Sequence, residues 1–111
     1  MRKPALFVLF AALIALLVLA VSCNPDSAAE KRLAGTWQRT KGDMTYQMIL
    51  GTDGWATFKT FEDGVMTDST EARWKVDGTR IVFTLGQLAE AETFSLEGDT
   101  LVLGDLTYTR V

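Results

Sequence analysis

The 111-residue chain contains no histidine and a single cysteine, Cys23. Without histidine, serine and cysteine nucleophiles lack their usual base, and Ser27, Ser69 and Ser95 lie in no nucleophile-elbow pattern. A catalytic triad is therefore excluded. A lone cysteine closes no disulfide within the chain, and the residues offer no zinc staple, so a small domain must rest on its apolar core. Clustered basic charge is also missing. Of eleven Lys and Arg residues, Arg2 and Lys3 precede Cys23, which leaves nine against fourteen acids that all follow it, a net charge of −5 over residues 24–111. Beyond Cys23 the bases are scattered singly except for Lys31-Arg32, which argues against a nucleic-acid partner, and the acidic exterior argues against electrostatic adhesion to anionic lipid.

What the chain does have is a patterned start. Arg2 and Lys3 precede an uncharged apolar run from Ala5 to Val21, and the small residue Ser22 stands directly before Cys23. A basic n-region, an apolar h-region and a small-residue cleavage site make a secretory leader. The segment resembles a bacterial lipoprotein signal peptide with the lipobox Ala20-Val21-Ser22-Cys23, where leucine is commoner than alanine at the first position. The resemblance implies cleavage after Ser22 and lipidation of Cys23 by diacylglycerol, with a further acyl chain (palmitate) on its amine. The implied location is the bacterial cell envelope, with the membrane as partner through the lipid. Asn24 rather than aspartate follows the cysteine, which in a Gram-negative cell implies the periplasmic face of the outer membrane. Two other readings stay open: an uncleaved signal anchor, for which the run is short against a hydrocarbon core of about 30 Å, and a free or intermolecularly paired thiol.

Residues 1–22 thus form the leader, 23–32 a lipidated cysteine with a flexible tether, and 33–111 one domain. The tether opens with Asn24-Pro25 and has no apolar period, although Ser27 and Glu30 have the spacing of a capping box for a helical turn to Leu33. From Gly35 the apolar period is two. Turn dipeptides recur about every ten residues, at Asp53-Gly54, Asp63-Gly64, Asp77-Gly78, Gly98-Asp99 and Gly104-Asp105. They predict eight strands over about 36–40, 44–50, 55–61, 66–76, 80–85, 93–97, 100–103 and 106–110, with a bend in the fourth near Ser69 and a longer connection over Gly86–Ala91. The fold class is all-β, an antiparallel up-and-down meander closed into a small barrel. Alternation puts Met44, Tyr46, Met48 and Leu50 on a core face, with Ala72, Trp74 and Val76, and then Ile81, Phe83 and Leu85. In the third strand Trp55 and Phe61 compete with Ala56 and Phe58 for that face.

Leu33-Ala34-Gly35-Thr36-Trp37 at the first strand, the meander, and Leu106-Thr107-Tyr108-Thr109-Arg110 at its end resemble the small bacterial lipocalin-like domains. In that pattern Gly-x-Trp opens the barrel and an arginine of the closing strand covers the indole. The resemblance implies that Gly35, Trp37 and Arg110 close the barrel, an indole–guanidinium contact contributing about 0.5–2 kcal/mol. It also implies a non-catalytic module binding a small apolar ligand, with Tyr46, Met48, Phe58, Trp74, Phe83 and Tyr108 as candidate lining. The strands are shorter than those of long lipocalins, so side chains compete with a ligand for the interior.

No cofactor is expected. Glu62, Asp63, Asp68 and Glu71 gather around one hairpin, where carboxylates can serve acid–base chemistry or calcium, but no Asp-x-Asp-x-Asp-Gly loop is present and Asp63 is explained by its turn. Two main classes of function are left: a ligand-binding barrel, and an envelope structural or protein-interaction module with a filled barrel that displays Trp55 or Phe61 to a protein partner.

Overall fold

The computed structural model describes residues 25–111. Cys23 and the leader lie outside the described residues. One helix, α1 (Pro25–Leu33), precedes eight strands: β1 (Gly35–Lys41), β2 (Met44–Leu50), β3 (Trp55–Glu62), β4 (Val65–Asp77), β5 (Arg80–Leu85), β6 (Leu88–Glu97), β7 (Thr100–Leu103) and β8 (Leu106–Arg110). Each strand pairs antiparallel with the next, and β1 pairs with β8, so the sheet closes into an all-β barrel in simple sequence order. Closure removes the sheet edges that an open meander would expose.

The turns alternate between two ends. At one, Asp63 and Gly64 both carry positive φ, 52° and 80°, the type I′ geometry that Asp-Gly favours between right-twisted strands. At the other Asp-Gly dipeptides only the glycine is positive, so their turns are of other types. The long β4 does carry an irregularity. Thr60 faces Asp68 while Phe61 faces Met66, which leaves Thr67 as an extra residue whose hydroxyl donates to the Thr60 carbonyl at 3.3 Å. The connection expected over Gly86–Ala91 shrinks to a tight turn at Gly86-Gln87. Leu85 pairs with Leu88, and β6 runs on through residues whose Glu and Ala content gives little strand signal.

Alternation decides the core. Ala56 is fully buried and Phe58 packs on the core, whereas Trp55 points outward at 44% exposure under the Arg73 guanidinium, 4.8 Å from its ring centroid. Trp37, Met48, Leu50, Ile81 and Leu101 are buried almost completely.

The segment read as a flexible tether is helical from Pro25, and it packs on the barrel. Pro25 suits a first helical turn, Asp26 lies there as well, and Lys31 and Arg32 end the helix, matching its dipole. Nine residues hold a helix poorly alone; docking supplies the rest. Ala29 and Leu33, one turn apart, are buried in the core cluster. Glu30 does not close a capping box: its Oε2 accepts from the Val76 backbone N–H at 2.8 Å, and Asp26 Oδ1 accepts from Gly78 N–H at 3.1 Å.

Candidate functional site

The topology gives the barrel two unlike ends. The end holding the β2–β3, β4–β5 and β6–β7 turns is covered by α1. The Trp37 indole donates to the Leu33 carbonyl at 2.8 Å, and the Trp74 indole to the Gly51 carbonyl at 2.9 Å. Arg110 ties this end together. Its guanidinium lies 4.2 Å from the Trp37 ring, donates to the carbonyls of Ala34 (3.0 Å) and Arg32 (2.7 Å), and pairs with Asp99 at 3.3 Å. Gly35, at φ 135°, is the close-approach point, since a Cβ there would meet Arg110 Nη1 at 2.9 Å. Between α1 and the β2–β3 turn a cavity of about 400 Å³ is lined by Glu30, Lys31, Asp53 and Trp74 among others.

The opposite end is open. A cavity of about 350 Å³ enters there between β3 and β7, with Phe58, Ala72, Phe83, Leu85, Leu88 and Leu103 as apolar wall and Thr70, Glu90 and Glu92 as polar groups. Phe58 and Phe83 meet edge to face, 5.2 Å between centroids. Exposed apolar side chains gather at this rim: Val65 and Met66 follow the β3–β4 turn, Leu85 and Leu88 flank the next, and Leu106 follows the last.

The six candidate lining residues therefore separate. Phe58 and Phe83 stand in the cavity wall. Met48, Trp74 and Tyr108 are buried in the core, which an eight-stranded barrel of this size fills with its own side chains. Tyr46 lies under Arg39, whose guanidinium carbon is 4.0 Å from its ring centroid and 5.7 Å from that of Tyr108. Arg39 Nε is buried without a hydrogen-bond partner.

Sequence reasoning missed Arg39, Glu90 and Glu92. Arg39 has the parity of Gly35 and Trp37, and Glu90 and Glu92 that of Phe94 and Leu96, so strict alternation was the available signal. Among the described residues no group of three or more Cys, Asp or Glu side chains is placed to hold a metal, and no helix is long and apolar enough to cross a membrane.

Near Arg39 the barrel seam loosens. β1 pairs with β8 only at Trp37–Arg110 and Gln38–Thr109. A cleft of about 350 Å³ runs along the parting, lined by Gln38, Arg39, Thr40, Thr107, Thr109, Arg110 and Val111.

No family model and no curated protein matches the chain. Two solved structures match its fold. A protein from Bacteroides thetaiotaomicron superposes with a TM-score of 0.65 at 14% identity, over 74% of this chain and 91% of that one. The lipoprotein YedD from Klebsiella pneumoniae superposes with a TM-score of 0.54 at 22% identity, over 71% of each chain. At these identities the likeness is one of fold, and the chain shares the fold of these two bacterial proteins.

Proposed function

We propose that this is a lipid-anchored cell-envelope protein whose barrel binds a small apolar ligand at its open end, without catalysis. The observation that carries the reading is the cavity walled by Phe58, Phe83, Leu85, Leu88 and Leu103, whose volume of about 350 Å³ suits one small ligand. The lipobox-like segment ending at Cys23 supports the anchor, and the likeness in fold to YedD, a lipoprotein, agrees with it. In a Gram-negative cell the anchored face is the periplasmic side of the outer membrane, and nucleic acid is not a partner.

Native mass spectrometry of protein extracted gently from membranes tests the whole reading. The expected species begins at a diacylated Cys23 and carries a small apolar molecule, which Phe83→Asp abolishes. A ligand-free barrel that also fails to enhance a fluorescent apolar probe sinks the binding part. A mature chain starting elsewhere sinks the anchor.

One observation favours a second reading, an envelope structural or protein-interaction module. The exposed Val65, Met66, Leu85, Leu88 and Leu106 all stand at the open rim, where a protein partner can cover them. Photo-crosslinking from Leu88 separates the two, giving an adduct of small mass for a ligand and of protein mass for a partner.

A further inference from the structure

The apolar cavity at the open end holds two carboxylates in its wall, Glu90 and Glu92, and no lysine or arginine. Both point inward by their pairing. Glu90 stands across from Phe83, and Glu92 across from Ile81, which has no exposure. Cross-strand partners share a face of the sheet, so the two acids stand on the inner side of the barrel with the aromatic pair of Phe58 and Phe83. Glu92 reaches the rim, where its Oε2 lies 2.8 Å from the place of a Cβ on Gly104 in the β7–β8 turn. Among the described residues neither carboxylate makes a hydrogen bond or an ion pair. The turns around this mouth repeat the sign. Asp43, Glu62, Asp63 and Asp105 stand in or beside them against Lys41, and the Asp63 N–H donates to the Asp43 carbonyl at 3.0 Å, which holds two of the acidic turns together. Arg39 lies against Tyr46 and Tyr108 and is not in the cavity wall.

We propose that the ligand of this cavity is a small amphiphile with an ammonium head, its apolar part against Leu85, Leu88 and Leu103 and its charge toward Glu90 and Glu92; the inference rests on the reading of the open end as a binding site. A wall that only holds hydrocarbon gains nothing from inward carboxylates, because a neutral or anionic occupant strips water from them and returns no partner. A cation returns one. Aromatic side chains such as Phe58 and Phe83 attract an ammonium group as well. What is asked of the two glutamates is charge acting across the mouth, which falls off gradually with distance and needs no fixed hydrogen-bond geometry. Both are exposed, so solvent and salt hold the preference to several-fold.

The test titrates the isotopically labelled full chain, in phosphatidylcholine nanodiscs at constant ionic strength, with hexylammonium, hexanol and hexanoate, and reads the ring signals of Phe58 and Phe83. Probes of one chain length separate head charge from apolar burial. Hexylammonium is expected to bind saturably and roughly fivefold tighter than hexanol, the scale of one exposed ion pair, with hexanoate weakest. Glu90→Gln combined with Glu92→Gln should bring hexylammonium to the affinity of hexanol and leave hexanol nearly unchanged. Both side chains are exposed and the change keeps their shape, so the fold is retained. A salt titration of the parent needs no variant, and rising ionic strength should narrow its preference for the cation. Equal affinity for the three probes, or a preference for hexylammonium that survives the double variant or is indifferent to salt, would overturn this proposal and leave apolar binding at the open end standing. Failure of all three probes to bind would overturn both.

Discussion

The two ends of this barrel are made from the same alternating strands and differ in what completes them. At the covered end α1 and Arg110 complete the barrel: the Trp37 indole donates to the Leu33 carbonyl of α1, Arg110 clamps that indole, and Glu30 and Asp26 hold the backbone of β4 and the β4–β5 turn. At the open end the inward side chains meet one another or solvent, and Arg39 keeps a buried donor unpaired. Unpaired polarity and exposed apolar surface cost stability wherever they occur, so a fold that collects both at one end draws its stability from the other, and the open end is where the proposed binding would take place.

The largest expected effect breaks the covered end. Leu33 has no exposure, and Leu33→Ala removes the apolar contact between helix and barrel, which is expected to cost about 3 kcal/mol. Urea denaturation checks it. A loss below about 1 kcal/mol would mean that α1 is dispensable to the fold. Gly35→Ala comes next, at about 2 kcal/mol, because the new Cβ combines a φ of 135° with a 2.9 Å approach to Arg110 Nη1, and Arg110 is held too firmly to yield. Arg110→Met should cost less in the Gly35→Ala background than in the parent, since there its loss also relieves the clash. Glu30→Ala leaves the Val76 N–H without its acceptor, and about 1 kcal/mol is expected from thermal unfolding. The same variant should speed hydrogen exchange of the α1 amides before those of β4.

How much of this was legible depended on which signal each residue obeyed. The barrel was readable because Asp-Gly and Gly-Asp turns punctuate an apolar period of two, and seven of the eight strands fell close to their places. β6 began too late in the reading because Leu88-Ala89-Glu90-Ala91-Glu92 has the composition of a helix, and only its pairing with β5 makes it a strand. The helix was only half legible: the Ser27 and Glu30 spacing pointed to a helical turn ending at Leu33, but not to a helix from Pro25 docked on the barrel. Ala29 and Leu33 give it an apolar stripe of two residues, too little to register as a period, and its docking relies on Glu30 and Asp26 bonding the backbone of residues 76 and 78. No local pattern announces a contact across some fifty positions. Arg39 was legible by parity, but an arginine reads as a surface residue; Tyr46, its cross-strand partner on β2, and Tyr108, far along the chain on β8, supply the surroundings that hold it inside.

The smallest stability effect sharpens the comparison most. Leu88 is 73% exposed at the open rim and pairs with Leu85 across the β5–β6 turn. Leu88→Ser removes little buried surface, so the unfolding free energy is expected to stay within about 0.5 kcal/mol of the parent. If the open end is the binding pole, the same change should weaken uptake of a fluorescent apolar probe several-fold, because Leu88 forms part of the cavity wall. Stability unchanged with binding lost would separate the two poles in one variant. If Leu88→Ser instead destabilised the protein as much as Glu30→Ala does, the rim would be part of the packed core and the division between the ends would fail.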